Sequence, residues 1–301
     1  MIAEFYIIPE SFSENPKTTV PQIEAKIQNF TQDFIHIGKH SAENKIFVNE
    51  NIYNVIFVSK KSISDLLNDP TAYKGIIDRD TQVALRTIFE KSKTTKITIK
   101  EVKKDLIPKH NRDFCYGLIG FNKVEGIADE NQIIYNINGW YDFRRYYLSV
   151  YPKNSEYFID ECNKYFPNLL LHKRNKSTVG SILGDCPKKI ILHLSKLNDN
   201  FIRFRDDSTL NRTEKLKQFS IDSTLDEIAT LEGNPARKSD FTFDFKDDNG
   251  NDIEVCCEPH IKLCYNDMDK SYSNNRRIYF HEGLDSIKKK KILIGHIGKH
   301  L

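Results

Sequence analysis

The stretch whose reading decides the fold is DFTFDFKDDNGNDIEVCCEPHIKLCY, residues 240–265. DFTFDF alternates apolar and polar residues, which predicts a strand with one buried face. Asn249-Gly250 follows, and both residue types tolerate positive φ, so a hairpin turn is expected there. IEVCCEPHIKLCY (253–265) then reads as the returning strand. Beyond it come a polar loop (266–275), RRIYFHEG (276–283), a lysine-rich loop and KILIGHIGKHL (291–301). The pattern predicts four sequential strands, an antiparallel meander.

Upstream of Gly233-Asn234-Pro235 the pattern is helical. Ser155–Tyr165, Lys188–Arg203 and Thr209–Phe219 carry apolar residues at helical spacing, and Asp226–Leu231 reads as an extension of the last. The first sixty residues look strand-rich, with EFYII, DFIHI, KIFV and YNVIFVS as short β-branched runs. Helices are expected over Ser64–Asn68 and Arg79–Lys91, and strands at FCYGLIGF (114–121) and QIIYNI (132–137). The fold class expected is α+β. A mixed α/β domain over 1–180, a sensor or partner-docking part, precedes a domain over 181–301 with helices packed on the meander.

The totals are permissive. The chain has 301 residues, a formal net charge of +3, 39% hydrophobic residues and six cysteines. So mild a charge neither demands nor excludes a nucleic-acid partner. No CxxC pair supports a zinc ribbon. The start MIAEFYIIPE lacks a signal-peptide pattern, and no run is long enough to span a membrane. These features predict a cytoplasmic protein with reduced thiols and no membrane partner.

Chemistry concentrates at the end. The last three predicted strands carry His260, Lys262, Arg276, Arg277, Tyr279, His281, His296, Lys299 and His300. Alternation places His260 with Lys262, Arg277 with Tyr279 and His281, and His296 with Gly298 and His300, each set on one face. Few acids accompany them. Such a face makes a poor core and a good surface for a phosphodiester backbone.

The order x-I-K-L, polar loop, R-I-Y-F, short loop, K-I-L-I-G-H-I-G-K-H resembles the carboxy-terminal half of the RelE family, small bacterial toxins with an α/β RNase fold. The resemblance covers about the last 45 residues and extends to roughly 110 if the preceding helices are the family's pair. It implies a metal-independent endoribonuclease of toxin or phage-defence type, with RNA, and ribosome-bound mRNA in many members, as substrate. It implies no cofactor and no metal. An inhibitory or sensor partner protein is expected as control. The family's basic pair falls on His260 and Lys262, its strand-opening arginine on Arg277, and its post-glycine basic residue on Lys299 or His300. The family's usual catalytic tail is missing after Leu301, so His296 or His300 would act as general acid. The chemistry suits these residue types. A base takes the 2′-OH proton, an acid protonates the leaving oxygen, and cations stabilise the phosphorane. His260 and His300 are therefore expected to move protons. Lys262 and Arg277 are expected at the transition state. Arg276, Lys299, Lys289 and Lys290 are expected to bind RNA.

Other readings compete. A basic sheet face can be plain solvated surface, or an RNA-binding surface without catalysis. A magnesium-dependent restriction-type DNase would use Asp244, Glu254, Glu258 and Lys262, yet His260 occupies the key acid position. NGWYDFRRYYLSVYP (138–152) reads as an aromatic core helix with two exposed arginines, more than as a stacking platform. Cys256, Cys257 and Cys264 read as core. The pentapeptide HIGKH occurs twice, at 36–40 and 296–300. The flanks differ, so no repeated module is inferred. Its central Gly argues against a helical zinc pair. The first copy is expected to be structural or surface, the second part of a site.

Overall fold

The computed structural model describes residues 1–69, 71, 73–124, 132–268 and 272–301. It divides into two compact units, Met1–Arg144 and Arg145–Leu301. The boundary expected near 180 thus lies earlier, because residues 145–180, the helix expected at Ser155–Tyr165 among them, belong to the second unit. Both units mix helices and strands, as expected. No helix among the described residues is long and apolar enough to cross a membrane.

The first unit is built on a parallel sheet. Its strands are β1 (Ile2–Ile7), β2 (Asn44–Asn49), β5 (Lys93–Thr95), β6 (Phe114–Ile119) and β7 (Ile133–Ile134), in the order β5-β2-β1-β6-β7. All four pairings are parallel. A small ribbon pairs β3 (Ile56–Val58) with β4 (Lys61–Ser62). The helices are α1 (Val20–Gly38), α2 (Ile63–Asn68), α3 (Arg79–Glu90) and the single turn α4 (Ile99–Glu101). Parallel strands bury both faces, which explains why Phe5, Tyr6, Ile7 and Ile8 form an unbroken buried run.

The strand expected at DFIHI is instead the end of α1. A capping box of Thr19 and Gln22 starts this helix. Ile23, Ile27, Phe30, Phe34 and Ile37 then bury one stripe. The long 3.6-residue period overrides the local β-branched preference.

Helix α5 (Ile137–Val150) runs through the boundary and corrects a second expectation. It is an aromatic core helix, with Trp140, Phe143 and Tyr147 buried, but its two arginines are buried as well. Arg144 reaches the Met1 carbonyl at 3.2 Å and Glu43 at 3.6 Å. Arg145 donates to the Tyr165 carbonyl at 2.9 Å and pairs with Asp199 at 2.7 Å. A buried guanidinium is tolerable only when so matched.

In the second unit, α6 (Ser155–Tyr165), the short α7 (Asn175–Thr178), α8 (Pro187–Arg205) and α9 (Arg212–Asp222) accompany six strands. These are β8 (Leu169–Leu171), β9 (Thr242–Lys246), β10 (Asp252–Cys256), β11 (His260–Cys264), β12 (Tyr272–His281) and β13 (Ile292–Lys299). The main sheet has the order β11-β12-β13-β8. β11, β12 and β13 form an antiparallel meander, and β8 joins β13 in parallel. The expected four-strand meander is therefore corrected. The run 253–265 breaks before Pro259, whose ring cannot donate to a ladder. Its first half pairs with β9 as a separate hairpin, with Asp244 opposite Glu254. The expected extension at Asp226–Leu231 is not helical; Thr230 there bridges to His260. Of the polar loop 266–275, residues 269–271 lie outside the described residues, and β12 begins at Tyr272.

Side-chain alternation gives the main sheet two different faces. Ile261, Leu263, Ile278, Phe280, Ile292, Ile294 and Ile297 pack against the helices with Leu194, Leu197, Phe201 and Phe219. On the other face the hairpin covers one end, where Phe241, Phe243, Phe245 and Val255 meet Tyr279 and Leu293. Phe241 stacks on Tyr279 with centroids 5.2 Å apart. The other end of this face carries the basic residues.

Candidate active site

Strand register brings the predicted residues into rows. His260, Tyr279 and His296 are lateral neighbours, and so are Lys262, Arg277 and Gly298. Each row lies on the face opposite the helices, as the alternation predicted. His300 follows β13 and is tied down by its amide, which donates to the Asn275 carbonyl at 2.7 Å.

Three of these side chains, with Tyr279, surround one carboxylate, that of Glu232. Arg277 Nη1 donates to Glu232 Oε1. The Tyr279 hydroxyl donates to the same oxygen at 3.1 Å and accepts from Arg277 Nη1 at 3.1 Å. His260 Nδ1 lies 3.6 Å and His300 Nε2 3.8 Å from that oxygen. Among the described residues, Glu232 Oε2 makes no hydrogen bond, so it remains open to an incoming hydroxyl.

The backbone explains how Glu232 arrives. Thr230 and His260 exchange both main-chain hydrogen bonds, at 3.1 and 2.9 Å. The Thr230 hydroxyl also meets His260 Nε2 at 3.1 Å. This clamp holds the Leu231-Glu232 segment over the sheet. Gly233-Asn234-Pro235 then turns the chain into a 3-10 segment, capped by the Asn234 side chain on the Ala236 amide at 3.0 Å.

Electrostatics separate the three histidines. His260 is 4% exposed, and burial, reinforced by Arg277, lowers its pKa to about 4 against the opposing pull of Glu232. His296 is equally buried, and burial brings its pKa to about 4 as well. Its Nε2 meets the Lys299 carbonyl at 2.8 Å, which requires the proton there and leaves a bare Nδ1. His300 is the accessible one, with a quarter of its side chain exposed. Burial and Arg277 lower its pKa. Burial pushes Tyr279 up to about 12, so its hydroxyl keeps the proton it donates to Glu232.

Arg277 and His300 also line an open cleft of about 730 Å³, with Tyr265, Asn275, Arg276 and Lys299. A β-bulge shapes it. Pairing with β11 jumps from Lys262–Arg277 to Leu263–Ser273, which leaves residues 274–276 without opposite numbers there. On the other side Arg276 still pairs with Lys299. Bulges of this kind turn side chains out of a ladder. Arg276 swings to Asp185, 2.7 Å away, and to the Tyr265 carbonyl.

Other predicted residues fall elsewhere. Lys262 pairs with Glu227 at 3.2 Å and does not line the cleft. Lys290 lines a separate cleft of about 580 Å³ beside Arg205, Arg212 and Glu282, where Asp206 lies 3.4 Å from its amine. Lys289 is exposed on the same loop. Glu258 faces Arg212 at 3.3 Å, while Asp244 and Glu254 face each other on the hairpin. Of the acids of the restriction-type reading, Asp244 and Glu254 are thus cross-strand neighbours, while Glu258 lies apart from them against Arg212. Among the described residues no three His, Cys, Asp or Glu side chains are grouped to hold a metal ion. Cys257 and Cys264 are buried and Cys256 is half-buried, all as free thiols.

Sequence reasoning missed Glu232 and underused Tyr279. Glu232 stands in a helix-stop segment, and only the long-range bridge to His260 brings it to the sheet. Its one local signal was an acid beside the Gly-Asn-Pro turn. Comparison of the chain with protein-family models, with curated proteins and with solved structures returned no match.

Proposed function

We propose that the second unit is a metal-independent endoribonuclease acting on single-stranded RNA. One observation carries this reading: Arg277, Tyr279, His260 and His300 gather within 3.8 Å of a single carboxylate, beside an open, cation-lined cleft. A carboxylate, an accessible imidazole and a guanidinium are the base, acid and phosphate-stabiliser that RNA cleavage needs.

In this mechanism Glu232 Oε2 takes the 2′-OH proton. The 2′-oxygen attacks phosphorus and the P–O5′ bond breaks. Protonated His300 gives its proton to the departing 5′-oxygen, so the products are a 2′,3′-cyclic phosphate and a 5′-hydroxyl. Arg277 stabilises the non-bridging oxygens, with Arg276 and Lys299 along the cleft. The phosphate anion itself favours protonated His300, offsetting the lowering by Arg277. Tyr279 orients Glu232 and Arg277. His260 is a positioning residue that fixes the Thr230 segment. DNA, lacking the 2′-OH, is not cut.

The test is cleavage of a labelled single-stranded RNA and its DNA copy in EDTA. Wild type is expected to cut only the RNA and to leave a cyclic phosphate. Glu232→Gln and Arg277→Gln are each expected to lower the rate roughly 10²- to 10⁴-fold, and Lys262→Ala far less. Product formation unchanged in both glutamine variants overturns the reading. Growth arrest with fragmented total RNA on induced expression, absent for Arg277→Gln, would extend it to the toxin or defence type. A second reading, RNA binding without cleavage, is favoured by the ion pair of Arg277 with Glu232, which engages the stabilising guanidinium and one oxygen of the base while Lys299 stays in the cleft. It predicts affinity that falls with salt and no product.

A further inference from the structure

We propose that Tyr265 is the base-stacking platform of the same site, so that the substrate must present an unpaired base next to the scissile phosphate. The inference rests on the endoribonuclease reading and adds the recognition element to it.

Tyr265 follows the last residue of β11 and is half exposed. It lines the same cleft as Arg277 and His300. The Arg276 guanidinium lies 5.6 Å from the ring centroid. That guanidinium is pinned by Asp185 and by the Tyr265 carbonyl, so ring and cation form one unit. The chain is anchored on both sides of the ring. Before it, Cys264 is paired in the sheet. After it, Asp267 caps helix α8, accepting from the Lys188 and Lys189 amides at 3.1 and 2.9 Å. The Asp267 amide in turn donates to the Asp185 carbonyl at 3.1 Å.

An exposed aromatic ring on an anchored stretch of backbone, beside cations, has part of its ordering cost met in folding, and stacking on it is favourable for any base. A paired base is already stacked inside its helix and cannot reach the ring, so the platform selects single strands and loops. The other cation-rich cleft offers no such surface. Among the described residues, no aromatic ring but that of His281 lines it.

The experiment is a cycle between protein and substrate. Wild type, Tyr265→Phe and Tyr265→Ala are assayed on short RNAs carrying one cleavable linkage, with a normal base or an abasic ribose on either side of it. Tyr265→Ala is expected to raise KM about tenfold or more with kcat nearly unchanged, and Tyr265→Phe to behave as wild type. Removing the stacked base should harm wild type and leave Tyr265→Ala unaffected. The same oligonucleotides, titrated by fluorescence anisotropy onto Glu232→Gln and onto Glu232→Gln with Tyr265→Ala, read the cycle without cleavage. Equal sensitivity of the ring-bearing and alanine proteins to the abasic site, in both assays, overturns the inference. A wild type that cuts nothing yet shows the cycle in anisotropy sinks the nuclease reading and keeps the platform.

Discussion

The two copies of HIGKH share five residues and almost nothing else. In the first, His36 to Gly38 are the last residues of α1 and Lys39 caps it. His40 stacks on Trp140 at 5.6 Å, and His36 meets the same ring edge-on at 5.8 Å. In the second, four of the residues lie in β13, and His300 stands beside Glu232 and Arg277. The central glycines differ most. A methyl on Gly38 would meet nothing within 4 Å, whereas on Gly298 it would meet the His296 imidazole at 2.9 Å. A motif's chemistry therefore comes from what the surrounding pattern packs beside it. One copy is aromatic packing at a helix end, and the other borders the Glu232 carboxylate.

The largest expected effect separates the copies by activity. His300→Gln should lower RNA cleavage roughly 10²- to 10⁴-fold, while His40→Gln in the same assay should leave it unchanged. Equal activity of the two variants would make the second copy as structural as the first and remove His300 as the acid.

What was legible follows from the range of the interactions involved. The 3.6-residue and two-residue periods marked α6, α8, α9 and β9, because each element buries a stripe of its own sequence. The shared face of His260, Arg277 and His300 was legible for the same reason. DFIHI was misread because its β-branched residues satisfied a strand window while the longer helical stripe from Ile23 to Ile37 decided the outcome. The parallel sheet of the first unit was not legible at all. Its pairing of β1 with β6 joins Ile2 to Phe114, and no local pattern announces such a partner. Glu232 was missed on the same grounds. The buried arginines of α5 were misjudged because their matching acids, Glu43 and Asp199, are distant in sequence.

A second comparison sets glycine against glycine. Gly298→Ala forces the His296 ring or the Thr178 carbonyl, 3.2 Å away, to yield, and overpacking of this kind costs about 1–3 kcal/mol. Gly38→Ala places a methyl in open space at a helix end and is expected to stabilise by up to about 1 kcal/mol. Denaturant unfolding of the two variants should therefore move in opposite directions. Two shifts of one sign would show that the environments of the copies are less different than their packing implies.

The smallest effect concerns protons. Burial and then Arg277 lower the pKa of His300, while the lowering at His36 comes from burial, His40 and Lys39. Removing the guanidinium in Arg277→Gln takes away a repelling charge and leaves Glu232 unmatched, and both changes favour protonated imidazole. The His300 pKa should rise, the opposite change should follow Glu232→Gln, and His36 should stay still in both. Stability carries the same sign. His260 and His296 bind protons near pH 4 when folded and near 6.5 when unfolded, so the unfolded chain takes up more protons between those values. Their contribution is complete above pH 6.5 and lost as the pH falls towards 4. His296→Gln should accordingly flatten the decline of unfolding free energy between pH 6.5 and 4. Histidine NMR titrations and urea unfolding at stepped pH measure the two. A His300 resonance that ignores Arg277→Gln would mean that the cluster around Glu232 does not exist in solution.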